Sequence, residues 1–108
     1  MTKVEINPGV CGFVATVIAD SDDEQMVNLQ IKSGCGGITK LAEKLGEEVD
    51  AFEVCLCKPG TGELYEIAQE VCPGHASCPV IAGILKCIEV ECKLALPRDA
   101  GIRFVDPV

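Results

Sequence analysis

Residues 72–78 read CPGHASC, so two cysteines and the chain's only histidine fall within seven positions, directly ahead of Pro79 and an apolar run. Thiolates and a neutral imidazole three residues apart on a loop can converge on one metal ion, and the same sulfurs can act as nucleophiles. Two further cysteines stand among glycines, Cys11 in GVCGF and Cys35 in SGCGG, and glycine lets backbone approach a sulfur or a cluster closely. Cys35 and Cys78 are both expected at the start of a helix. Unpaired backbone N–H groups and the helix dipole there favour a thiolate and lower its pKa.

These residues define the candidate metal ligands, with Cys11, Cys35 and Cys78 as the core and Cys72 or His75 completing the set. An iron–sulfur cluster on three or four of the thiolates is one reading, since such clusters take cysteine ligands and gain from nearby N–H donors. Zinc on Cys72, His75 and Cys78, with Cys11 or Cys35 as the fourth ligand, is the other. The spacing C-x2-H-x2-C is not the paired C-x2-C of a zinc ribbon, so outside ligands are required. The enzyme-class alternative is a thiol or persulfide carrier or transferase with Cys78 as nucleophile and Cys35 as resolving thiol. A third reading is an interaction or structural module whose cysteines are mostly packed, because cysteine is among the most often buried residues. The corresponding plain role for His75 is a helix cap or a surface loop residue. No G-x-S-x-G elbow, phosphate loop or H-E-x-x-H occurs, and His75 is the one imidazole a cysteine nucleophile could use.

Composition narrows the partners. The 108 residues are expected to form one domain, 1–108, large enough to bury a core without disulfides or metal. Seventeen acidic against nine basic residues give a net charge of −8, which disfavours nucleic acid and anionic membrane surfaces. A metal ion or cluster, or a basic protein, remains compatible. The start, MTKVEINPGV, carries no apolar stretch of signal-peptide length. The longest apolar runs, VATVIA and VIAGIL, fall far short of the roughly 20 residues that span a bilayer. A cytoplasmic protein is expected, and eight cysteines in a reducing compartment point to metal, iron–sulfur or thiol chemistry.

The elements that must position these residues can be read from periodicity. Residues 3–19 and 26–33, with Val27, Leu29 and Ile31 alternating against polar neighbours, predict a long β-hairpin with one buried face, its acidic tip DSDDEQ a mobile loop. Ile38, Leu41, Ala42, Leu45 and Val49 share a helical face after Ser33 or the glycines, with Gly46 a candidate stop. Phe52, Val54 and Leu56 alternate with Glu53, Cys55 and Cys57, which predicts a third strand with both cysteines on its other face, about 7 Å apart along the chain. ELYEIAQEVC predicts a short helix. PVIAGILKCIEVECKLAL predicts a longer one with Ile81, Ile84, Leu85, Ile88, Cys92 and Ala95 on its stripe and Pro79 in the first turn. Cys87 and Cys92 are most simply core. GIRFV closes the chain as a short strand. The order β-β-α-β-α-α-β gives an α+β fold: a single-domain two-layer sandwich, with a mostly antiparallel sheet and helices on one face.

The stretch SCPVIAGILKCIEVECKLALPRDAGIRFV resembles the C-terminal domain of NifU-type iron–sulfur scaffold proteins, through Cys78-Pro79, Leu85-Lys86 and Ile88-Glu89. That family uses C-x2-C, and here His75 stands in place of the first cysteine. The resemblance implies an iron–sulfur role for this end of the chain. Cys78-Pro79-Val80-Ile81 is similar to the C-P-x-P motif of TusA-type sulfur carriers, without its second proline, which implies a reactive Cys78. Taken together, NPGVCGF, SGCGG and CPVIAGILKCIEV resemble a small uncharacterised cysteine-containing family of anaerobic microbes.

Overall fold

The computed structural model describes residues 1–107. Three strands in succession, β1 (Thr2–Ile6), β2 (Ala15–Asp20) and β3 (Met26–Ser33), precede helix α1 (Gly36–Leu45). A short strand β4 (Glu48–Asp50) follows, then helices α2 (Ala51–Cys55), α3 (Glu63–Val71) and α4 (Pro79–Glu91). The sheet is antiparallel in the order β1-β2-β3-β4. This is the two-layer α+β sandwich expected from the sequence. Among the described residues no helix is long and apolar enough to cross a membrane.

Alternation decides the inner face. Ala15, Val17 and Ala19 of β2 are buried beside Val27 and Leu29 of β3, while the residues between them are more exposed. Against this face lie Ile38 and Leu41 of α1 and Ile84 and Ile88 of α4, while Leu64 of α3 packs into the same core from behind the helices, each at most 2% exposed. Full burial of each such side chain contributes about 1.5–3 kcal/mol. Gly83 lets α4 lie close on the sheet, since a Cβ there would overlap the side chain of Ile6. Gly46 ends α1 at φ 81°, a backbone angle that L side chains rarely adopt.

Four local readings are corrected. The first hairpin arm is two strands, joined through Asn7–Val14, where Gly9 accepts a hydrogen bond from the amide of Gly12 at 3.0 Å. The acidic tip is a closed turn: Asp23 Oδ1 accepts from the amides of Gln25 (3.0 Å) and Met26 (2.9 Å), which holds its carboxyl below the usual range. Residues 51–55 are helical, because Asp50 caps the Phe52 amide at 2.9 Å and Ala51 and Val54 bury one face at helical spacing. Finally, GIRFV is not a strand; Ile102 and Phe104 are 85% and 97% exposed.

Candidate functional site

Cross-strand register defines one end of the molecule. Ile6 pairs with Ala15, and Ala15 with Ser33, so the β1–β2 connection and the β3–α1 connection leave the sheet side by side. Phe13 from the first connection lies against Gly34 of the second, where a Cβ would stand 3.1 Å from its ring. Gly83, in the second turn of α4, packs on Ile6, which brings the N-terminal half of α4 to the same end. The loop carrying Cys11 and the starts of α1 and α4 are therefore neighbours.

Cys35 is the N-cap residue of α1, with extended backbone (φ −73°, ψ 123°) and its amide held by Ser33 Oγ at 3.1 Å. Cys78 holds the same position on α4 (φ −62°, ψ 117°), with Pro79 as the first helical residue. Neither side chain makes a capping hydrogen bond, so the sulfurs are not committed to closing their own helices. Cys72 follows the last turn of α3, its amide bonded to the Ala68 carbonyl at 2.8 Å. All three are partly buried.

Cys35 and Cys72 meet across Gly37. A Cβ on Gly37 would lie 2.9 Å from Cys72 Sγ, 3.2 Å from the Val71 carbonyl oxygen and 3.8 Å from Cys35 Sγ. The space that any other residue would fill is left to two sulfurs and a backbone oxygen. Burial pushes the Cys72 thiol up from its ordinary pKa, and the neighbouring charges of Cys35 and Cys78 push it further in the same direction. Cys35, from the β3–α1 connection, and Cys72 and Cys78, from the two ends of the α3–α4 connection, thus form one electrostatic neighbourhood. The Lys44–Glu70 ion pair, at 2.8 Å between exposed side chains, bridges α1 and α3 outside it.

The other two candidates are exposed, unlike this trio, which moves Cys11 out of the expected core of the set and Cys72 into it. Cys11 is exposed on the turn Gly9–Gly12, beside a fully exposed Val10. His75 is exposed between two turns: its amide donates to the Cys72 carbonyl at 3.3 Å, and its carbonyl accepts from the Cys78 amide at 3.1 Å. These bonds coil residues 72–78 so that Cys72 and Cys78 come back towards one another. Among the described residues, no three His, Cys, Asp or Glu side chains stand close enough to hold a metal ion as they are placed. The donor set nevertheless suits a thiophilic metal, and at Gly37 the helix backbone packs directly against the Cys72 sulfur.

Sequence reasoning missed how the remaining cysteines divide. Cys55 and Cys57 are not on a strand. Cys55, at the end of α2, directs its sulfur to the Leu85 carbonyl at 3.8 Å, and its thiol is pushed up to about 12, mainly by burial and then by Glu89, Cys92 and Cys57. Cys57 is exposed, with its sulfur 3.3 Å from the Thr61 carbonyl oxygen. Cys92 is buried in the core, as its place on the apolar stripe implied, and Cys87, which lies off that stripe, is fully buried as well. All eight cysteines are free thiols.

Comparison with known proteins adds the family and no chemistry. Residues 2–104 match the profile of a family of unknown function (DUF6951), which spans nearly the whole chain. No curated protein and no solved structure matches it.

Proposed function

We propose that this chain, which belongs to the DUF6951 family of unknown function, is a cytoplasmic metal or iron–sulfur binding protein that uses thiolates at helix N-termini. Cys35, Cys72 and Cys78 are the core ligands, with Cys11 or His75 completing the set. The observation that carries this reading is the convergence of the Cys35 and Cys72 sulfurs on Gly37 from two elements, with Cys78 within electrostatic reach. Three thiols gathered at one end of a fold repel one another once ionised. A bound cation relieves that repulsion, and each coordinated thiol is held as thiolate.

The residues supply soft donors, two helix starts that favour negative charge, and an exposed 72–78 loop on which Cys78 and His75 can adjust. A bound zinc ion would supply a structural clamp between α1, α3 and α4; a cluster would supply one-electron chemistry. Eight free thiols fit a reducing compartment, and the net charge of −8 favours a cation or a basic protein as partner. Anaerobic purification followed by iron, zinc and sulfide analysis tests the reading. Stoichiometric metal that a chelator removes, with a clear fall in melting temperature, is the expected result. A colourless, metal-free protein whose melting is indifferent to chelator would end it.

The separation of the three sulfurs favours a second reading, in which they act in pairs. Cys78 then takes sulfane sulfur from a donor persulfide, whose thiolate leaves, and Cys35 as resolving thiol attacks the inner sulfur and expels hydrosulfide to leave a disulfide. Mass spectrometry after incubation with a persulfide donor distinguishes the two readings. A sulfur adduct confined to Cys78 supports the second, and absence of any adduct removes it.

A further inference from the structure

Two unpartnered features of the fold match each other, independently of the thiol site. β1 is an outer strand of the sheet and pairs only with β2, so no strand covers its other edge, although the Thr2 carbonyl already accepts from Cys87 Sγ at 3.4 Å. The segment after Pro97 runs without secondary structure, and residues 98–107 are all exposed. It carries Ile102 and Phe104, both almost fully exposed. Exposed edges and exposed large apolar side chains are both features that folded proteins normally cover.

The two fit in length, pattern and charge. β1 is five residues, Thr2–Ile6, and Gly101–Val105 is also five. In β1, Val4 and Ile6 are half-buried on the helix-bearing face, while Lys3 and Glu5 between them are exposed. Ile102 and Phe104 have the same spacing of two, with Arg103 between them. Pairing the segments continues the apolar face beside Val4 and Ile6, under the rim of α4, and brings Arg103 to the outer face that bears Glu5. The DUF6951 match extends to residue 104, so this pattern lies within the stretch shared with the family.

We propose that Gly101–Val105 of one chain adds as a fifth strand to the β1 edge of a second copy, and that the exchange is reciprocal, closing a two-fold symmetric dimer. Strand addition gains main-chain hydrogen bonds along the edge, and the alternate apolar side chains supply specificity. Reciprocal exchange also covers both edges and both tails, which leaves no open end for further association.

Sedimentation equilibrium of the full chain, with Phe104→Glu and the double variant Ile102→Lys/Phe104→Glu, tests the proposal. Both residues project from the domain, so circular dichroism should show an unchanged fold. The wild type is expected to be a dimer. Phe104→Glu is expected to weaken it at least about thirtyfold, as loss of a central apolar anchor does. Hydrogen exchange of β1 amides that do not bond to β2 should be slow in the dimer and fast in the variant. A wild type monomeric at every concentration would overturn the proposal, including one with slow β1 exchange, which would mean pairing within one chain. So would a dimer indifferent to both substitutions.

Discussion

The sulfurs of Cys35 and Cys72 both close on Gly37, where a Cβ would lie 3.8 and 2.9 Å from them. The two residues are 37 positions apart in sequence and belong to different helix boundaries, yet the close approach of α1 and α3 brings them together. Any side chain at residue 37 would collide with Cys72 Sγ and touch Cys35 Sγ.

Gly37→Ala is therefore expected to be costly. The new methyl collides with Cys72 Sγ and the Val71 carbonyl, and overpacking of this kind costs about 1–3 kcal/mol. Gly36→Ala is the control: it meets nothing within 4 Å in the same helical turn, and it should be neutral or stabilising by up to about 1 kcal/mol. Urea denaturation of the two variants reads the difference. Equal stabilities would mean that the space over Gly37 is not confined.

Thiol reactivity should follow position. Cys11 and Cys57, which are exposed, should alkylate first in the folded protein, whereas Cys87 and Cys92, at 0% and 3% exposure, should react only on unfolding. Peptide mapping after brief labelling checks the order. Early modification of Cys87 would show that α4 opens locally.

The alkaline limb of stability should depend on Cys87. Burial pushes its thiol from 9.0 to about 11, so the folded state holds this proton more tightly than the unfolded chain does. The associated stability is fully present below pH 9 and is lost as pH rises towards 11. Cys87→Ala should lower stability at neutral pH through lost packing, and should flatten the fall above pH 9. Parallel pH curves for the two proteins would contradict this.

The acid limb should depend on Glu91. Burial raises its pKa, but hydrogen bonds from Thr2 Oγ1 (2.7 Å) and the Ser21 amide (2.9 Å) outweigh that and set it below 4.5. A depressed carboxyl contributes stability that is present above its unfolded value and lost as pH falls through the folded one. Glu91→Ala should thus be destabilising at neutral pH and should show a shallower loss of stability below pH 4.5. Thermal melts across that range measure both effects.

What the sequence disclosed can be traced residue by residue. Cys35 and Cys78 were legible as helix starts, because apolar periodicity and Pro79 fixed where α1 and α4 begin. Residues 51–57 were misread because Phe52, Val54 and Leu56 alternate, while Ala51 and Val54 fit a helix equally well; a short apolar window does not separate the two periods. Asp50 with Glu53 three residues later is a capping signal that favoured the helix. GIRFV has the pattern of a strand but no neighbour in its own domain, and pairing is not written in a single segment. The meeting of Cys35 with Cys72 was hidden for the same reason: it depends on how α1 packs on α3.

The most direct test of the thiolate-site account is anaerobic titration of the reduced protein with cobalt(II), a spectroscopic stand-in for zinc, in the wild type and in Cys35→Ser, Cys72→Ser and Cys78→Ser. The account predicts one ion per chain with intense thiolate-to-cobalt charge-transfer absorption, greatly weakened in each of the three variants and unchanged in Cys87→Ser. Absence of that absorption in the wild type, or its persistence in all three variants, would contradict it.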